Sequence, residues 1–297
     1  MKLFLIFIFS LSSFSSWSAS CCVSNTSVPN LIILPAQWQQ TFMMGQTNVI
    51  GDVDAAGRSV FRDQNRNKES TQFARLDLGY SWTFRYQSGV SLRYQAKSRE
   101  FNGTEANNTG WSDVGLSHAY MPKMFDRVWF YQTLNIPTAT SVYDSQSSLA
   151  VDSQGTGTYL TSVGVFKIHN YKMGDLTMGS ELHRSFGRKF NSDGTEIDVR
   201  GAWGGSVSVG AGYVPWKSRS RLGVNLTPRL EGPKTVIRGE NRANGKQSMV
   251  WDAVINYTYS INLEYAVGLN YVDQTLLGPA SNTLLNRTVS FVFQSRY

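Results

Sequence analysis

From Phe73 to Tyr297 the chain repeats one unit: a segment of roughly ten residues with an apolar side chain at every second position, then a turn. Successive side chains of a strand point to opposite faces, so each segment has one apolar face and one polar face. No stretch after the N-terminal leader reaches the roughly 18 uninterrupted apolar residues of a membrane helix. A chain of this kind enters a membrane as strands. The pattern predicts an all-β transmembrane antiparallel up-and-down β-barrel of about 12 strands, with short periplasmic turns and longer extracellular loops.

The faces can be read residue by residue. Leu76, Leu78, Tyr80 and Trp82 oppose Arg75, Asp77 and Ser81; Val90, Leu92 and Tyr94 oppose Arg93, Gln95 and Lys97. Leu176, Met178, Leu182 and Phe186 oppose Asp175, Glu181, His183 and Ser185. Ile197, Val199, Trp203, Val207, Val209 and Tyr213 read as one strand, opposing Glu196, Asp198 and Arg200. Leu222, Val224, Leu226 and Leu230 oppose Arg221, Asn225, Thr227 and Arg229, and the alternation continues through 249–259 and 263–271. Segments near 38–52, 112–121, 126–140 and 156–169 complete the set. Short links near Arg85, Pro122, Tyr171, Pro215 and Ser260 alternate with longer polar ones at 53–69, 102–111, 141–155, 190–195, 231–247 and 275–283.

The ends of the chain carry addressing information. Lys2, the apolar run to Leu11 and the small residues Ser18 and Ser20 predict a cleaved secretory signal at 1–20. Residues 21–37 are then a periplasmic N-terminal segment and 38–297 the outer-membrane β-barrel. The only cysteines, Cys21 and Cys22, are adjacent. Cys21 is a candidate for lipidation, the alternatives being intermolecular bonding or an unpaired end. At the other end Phe291, Phe293 and Tyr297 share one face of the last strand, which resembles the insertion signal read by the bacterial barrel-assembly machinery. The expected location is the outer membrane of a Gram-negative bacterium.

Twenty-eight Lys and Arg against 21 Asp and Glu give a net charge of +7. The cations are dispersed, with no basic run or aromatic-interleaved patch, so no nucleic acid partner is expected. In a membrane setting they suit outer-membrane lipid and lipopolysaccharide phosphates and an anion-tolerant lumen. The polar faces name the lumen-lining candidates: Arg75, Asp77, Arg93, Arg127, Glu181, His183, Arg200, Arg221, Arg229, Asp252 and Glu264, with Trp129 and Tyr131 added if they point inward. Such charges either hold the wall together as cross-strand ion pairs or line a narrow pore.

Enzyme signals are weak. His183-x-Ser185 is similar to the catalytic pair of outer-membrane phospholipases, but alternation puts both on the polar face, away from lipid. His118 alternates with Leu116 and Tyr120 and is expected at the lipid rim; His169 is expected in a solvated turn. Asp52-x-Asp54-x-x-Gly57 lacks the later acidic ligand of a calcium loop, and no metal or other cofactor is expected.

Three short motifs resemble one family. Gly110-Trp111-Ser112-Asp113-Val114-Gly115-Leu116, Leu134-Asn135-Ile136-Pro137-Thr138-Ala139 and Gly155-Thr156-Gly157 are similar to strand-end motifs of the outer-membrane channels linked to phenol meta-pathway degradation. Ser112 and Ala139 stand where that pattern has glycine. The resemblance implies a barrel transporter for small hydrophobic or aromatic compounds, with Trp129 and Tyr131 as the place for aromatic stacking. The expected function is therefore a passive channel for small solutes. The alternatives are a non-conducting structural or adhesion barrel with binding loops and, behind it, a lipid-modifying enzyme.

Overall fold

The computed structural model describes residue 32 and residues 35–63, 67–125, 127–147, 149–192, 194–215 and 219–297. The expected signal peptide and Cys21 lie outside the described residues. The described chain forms eighteen strands: β1 (Gln37–Val53), β2 (Ser59–Phe61), β3 (Asn67–Thr83), β4 (Tyr86–Phe101), β5 (Thr104–Trp111), β6 (Val114–Tyr120), β7 (Val128–Ile136), β8 (Leu160–Tyr171), β9 (Gly174–Ser185), β10 (Arg188–Ser192), β11 (Thr195–Val199), β12 (Trp203–Tyr213), β13 (Ser220–Glu231), β14 (Thr235–Arg238), β15 (Asn241–Asn244), β16 (Ser248–Ser260), β17 (Tyr265–Asp273) and β18 (Thr283–Arg296).

Twelve of these close a barrel in the order β1-β3-β4-β6-β7-β8-β9-β12-β13-β16-β17-β18 and back to β1. Every neighbouring pair is antiparallel, which is what an up-and-down chain with consecutive hairpins must give. The closing seam runs from Gln39↔Arg296 to Val53↔Thr283, with one irregularity between Val49 and Gly51. At its base Trp38 and Tyr297 exchange two backbone hydrogen bonds of 2.9 Å. Closure leaves no barrel edge exposed to lipid, where an unpaired backbone group has no water to bond.

The outward face is the apolar one. Phe42, Val90, Val163, Leu182, Val209, Leu222, Val224, Leu226, Leu269 and Phe291 are all exposed. Trp38, Tyr80, Trp82, Tyr86 and Tyr120 ring the turn end, where Trp38–Tyr80 and Tyr80–Trp82 ring centroids lie 4.8 Å apart. Tyr94 packs edge-on to Trp111 at 5.4 Å nearer the loop end. Eight residues separate Tyr86 from Tyr94, about 27 Å along the strand and about 21 Å in height at a tilt of about 40°, most of the roughly 25 Å apolar band between two aromatic girdles. His118 stands on this face at the turn end, against Tyr86 at 4.6 Å. His169 is not in a turn as expected: it is an exposed residue of β8 stacked edge-on to Tyr171.

Two stretches depart from the simple rhythm. Residues 102–111, expected as a loop, are a tight turn and strand β5. Asn102 (φ 51°) and Gly103 (φ 79°) both take the left-handed conformation that a two-residue hairpin turn demands. The upper half of β4 pairs with β5, from Tyr94↔Trp111 to Phe101↔Thr104, and its lower half pairs with β6. The break between β5 and β6 is Ser112-Asp113. Second, Ile197 and Val199 are not lipid-facing. With Phe190, and against Tyr143 and Val236, they form the buried core of a separate four-stranded sheet, β10-β11-β14-β15, built from the loops after β9 and β13.

Candidate functional site

The barrel interior is polar, and its two sides differ. On one side β9, β13 and β16 carry Asp175, Arg221 and Asn256 to a single point. Arg221 donates from Nε and Nη2 to the two Asp175 oxygens at 2.7 Å each, and from Nη1 to Asn256 Oδ1 at 2.8 Å. A fork-to-fork pair with a third acceptor is the arrangement that compensates a buried guanidinium. Glycine makes the room: a Cβ at Gly212 or Gly223 would fall on the Arg221 guanidinium. Nearer the loop end Arg229 Nε lies 3.0 Å from Asp252, which also accepts from Gln274 at 2.7 Å.

A second chain of polar contacts crosses the same side. Tyr131 donates to Glu181 Oε2 at 2.8 Å, Glu181 Oε1 lies 3.4 Å from His183 Nδ1, and His183 Nε2 lies 2.9 Å from Glu231. Ser185 is occupied elsewhere: its Oγ donates to the Ala202 carbonyl and accepts from the Ala202 amide. His183 thus faces two carboxylates, and Ser185 a backbone.

On the other side the inward residues of β3 and β4 include Phe73, Arg75, Asp77, Arg93, Gln95, Lys97 and Arg99. Arg75 Nε meets Asp77 at 2.8 Å and Arg99 meets Glu69 at 2.6 Å. The remaining donors reach chain rather than acid. Gln95 donates to the Gln154 carbonyl at 2.8 Å, Lys97 to the Ser153 carbonyl, and Arg99 to the Leu149 carbonyl at 2.6 Å. The 137–159 connection therefore folds back against the inner face of β4, where Val151, Ser153 and Gln154 are buried. Within it, the Asp152 carboxyl accepts from Ser145 Oγ and the Gln146 amide. Burial pushes that carboxyl up, and these hydrogen bonds outweigh it, holding it below the usual carboxylate range.

Both ends of this segment are held by Asp113. Its Oδ2 accepts from the Thr156 amide at 2.7 Å and hydroxyl at 2.8 Å, and its Oδ1 from the Ala139 amide at 3.3 Å. The three motifs singled out in the sequence meet here. Gly155 lies so close that a Cβ would collide with the Asp113 carboxylate and Ala139, and Gly157 takes φ 72° beside Ser141.

At the turn end Trp129 and Tyr131 point inward. Trp129 stacks parallel to Phe166 at 6.5 Å, and with Ala119 they make a small apolar cluster on the inner wall. The Ile32 amide donates to inward Gln87 at 2.8 Å, which places Ile32 in the lumen there. Below the folded-back segment, between β1, β3, β4, β6 and β7, lies a cavity of about 300 Å³ whose wall includes Arg75, Asp77 and Arg93.

Arg75, Asp77, Arg93, Trp129, Tyr131, Glu181, His183, Arg221, Arg229 and Asp252 thus stand on the inner face. Three expected lumen residues stand elsewhere. Arg127 is an exposed residue of the turn before β7, in left-handed conformation (φ 58°). Arg200 is exposed at the end of β11 in the outer sheet, near Asp198, because the strand read through 196–213 is two strands of two sheets. Glu264 is exposed in the turn between β16 and β17. Asp113, Gln95 and the carbonyls of Leu149, Ser153 and Gln154 were not among the expected site residues, although alternation put Gln95 on the polar face and one motif contained Asp113. Asp54 takes the Ala56 and Arg58 amides and the Arg58 side chain, so the acidic stretch at 52–57 is a self-capped turn.

No family model matches the sequence, and no curated protein does. Solved structures do match in fold. The COG4313 outer membrane channel from Pseudomonas putida F1 superposes with a TM-score of 0.68 at 11% identity, covering 90% of this chain and 97% of that one. The transport unit of the autotransporter AIDA-I from Escherichia coli gives 0.49 at 10% identity, covering 88% and 90%. The translocator domain of the autotransporter NalP from Neisseria meningitidis gives 0.48 at 7%, covering 88% of each. The fold is that of a twelve-stranded outer-membrane β-barrel.

Proposed function

We propose that the protein is an outer-membrane channel through which small solutes pass passively, with the 137–159 segment as the constriction at its outer mouth. The observation that carries the reading is the segment's attachment: it is held against the inner wall by three side chains of β4 and latched at both ends by Asp113. A purely structural barrel needs no such element inside its wall. That the Pseudomonas putida barrel of like shape is a channel supports the same reading.

The test is conductance and liposome flux of the purified chain in bilayers, beside a Gln95→Ala/Lys97→Ala variant that frees the segment. The wild type is expected to conduct and the variant to conduct about twofold more or better. No conductance from either would overturn the proposal and favour a non-conducting barrel whose outer sheet binds partners.

We read the chain as non-enzymatic, since Ser185 is bonded to Ala202 rather than to His183; lipid hydrolysis abolished by Ser185→Ala would contradict this. The same reading includes cleavage after residue 20, contact of the outer rim with lipopolysaccharide, and recognition of Phe291, Phe293 and Tyr297 by the barrel-assembly machinery. Deleting the last strand should abolish insertion, and mass measurement of the mature N-terminus decides the lipidation of Cys21.

A further inference from the structure

We infer that the lumen contains a binding site for a small organic carboxylate, centred on Arg93 in the cavity between β1, β3, β4, β6 and β7. The inference rests on the channel reading and names the solute class the lumen selects. Arg75 and Arg93 are direct partners in the β3–β4 register, which places two like charges about 5 Å apart at Cβ, an arrangement that is destabilising by itself. Asp77 compensates Arg75 at 2.8 Å. Arg93 makes no ion pair among the described residues, and its buried Nε has no hydrogen-bond partner. Its guanidinium is laid over the Phe73 ring, 4.4 Å from the centroid.

The other carboxylate on the cavity wall, Asp113, spends its oxygens on Thr156 and Ala139. One uncompensated planar cation therefore remains on the wall of a cavity of about 300 Å³. A guanidinium offers paired N–H donors that match a carboxylate, and an unpaired buried charge gains most from meeting one. One guanidinium without an acid partner, on a wall that also carries Asp77 and Asp113, suits a monoanion better than the dianion of inorganic phosphate. The volume, at the lower end for small-molecule sites, exceeds what a bare inorganic ion fills. Ser117, Thr133 and Asn135 add neutral hydrogen-bonding groups around it.

The experiment is isothermal titration of the full-length protein in detergent with benzoate, its neutral isostere benzamide, and inorganic phosphate. Wild type and Arg93→Gln are compared, each checked for folding by heat-modifiable migration, with liposome flux measured separately. Benzoate is expected to bind the wild type at least about tenfold more tightly than benzamide or phosphate, and Arg93→Gln to lose about that factor. Equal binding of benzoate and benzamide by the wild type overturns the site without reference to any variant. Undiminished benzoate binding by folded Arg93→Gln also overturns it. Benzoate binding without flux keeps the site and removes the channel reading; flux without benzoate binding keeps the channel and removes the site.

Discussion

The two sides of the lumen handle buried charge in opposite ways. On the β9–β13–β16 side Arg221 is saturated by Asp175 and Asn256, with side chains only 4% and 7% exposed for the ion pair. On the β3–β4 side Gln95, Lys97 and Arg99 donate to the backbone of a long connection, Arg99 also to Glu69, and Arg93 makes no ion pair among the described residues. On the first side the Arg221–Asp175 pair is closed by side chains of the barrel strands themselves. The second is complete only with a segment that could leave and with a charge that could be met from outside.

The largest effect that separates them is expected at Arg221. Arg221→Gln leaves Asp175 buried without its cation and should cost about 3–5 kcal/mol, read as a lowered denaturant midpoint for loss of heat-modifiable migration. Replacing both partners by apolar residues should recover most of it. A small effect at Arg221 would erase the contrast between the walls.

Next is the latch. Asp113→Ala removes the acceptor for the Thr156 amide and hydroxyl and for the Ala139 amide. At about 1.5–3 kcal/mol for hydrogen bonds to a charged group, external protease should cut within 140–155 about ten- to a hundredfold faster. The barrel itself should stay resistant. Gly155→Ala should do the same by steric collision with Asp113. If both variants resist protease as the wild type does, the segment belongs to the rigid wall.

What was legible beforehand follows the same division. Alternation placed Arg75, Arg93, Glu181, His183 and Arg221 on the polar face because lipid outside the barrel imposes a period of two on every spanning strand. β5 was hidden because it stands above the aromatic girdle, with β4 as its one strand partner among the described residues, so neither face of Thr104–Trp111 needs to be apolar. Its signal was the Asn102-Gly103 turn, not its pattern. Ile197 and Val199 alternate correctly but serve another sheet, and the change of sheet at Gly201-Ala202 leaves no mark in periodicity. The fold-back of 137–159 is set by β4 donors more than 40 residues away in sequence, so no local reading reaches it. Asp113 was noticed within a motif, yet its partners lie in the two other motifs, and their convergence is visible only in three dimensions.

Arg93 gives a smaller and opposite effect to Arg221. With no acid partner among the described residues to orphan, Arg93→Gln removes a buried like charge beside Arg75 and should leave stability unchanged within about 1 kcal/mol, or raise it. A loss at Arg93 comparable to that at Arg221 would make both walls structural.

The smallest effect concerns pH and lies in the segment itself. The Asp152 carboxyl is held below its ordinary value, its hydrogen bonds from Ser145 and the Gln146 amide outweighing partial burial. A carboxyl depressed in the folded state stabilises above its unfolded value, about 3.9, and loses that contribution as pH falls through the lower, folded value. Protease resistance of the 140–155 stretch should therefore be flat from pH 8 to about 5 and decline only below about pH 4, with Asp152→Asn removing the decline. Because Asp152 belongs to the segment and not to the wall, the acid transition should open the segment while leaving Arg221 and Asp175 paired and the barrel folded. A barrel that unfolds in the same pH step would show that the segment and the complete wall are one cooperative unit after all.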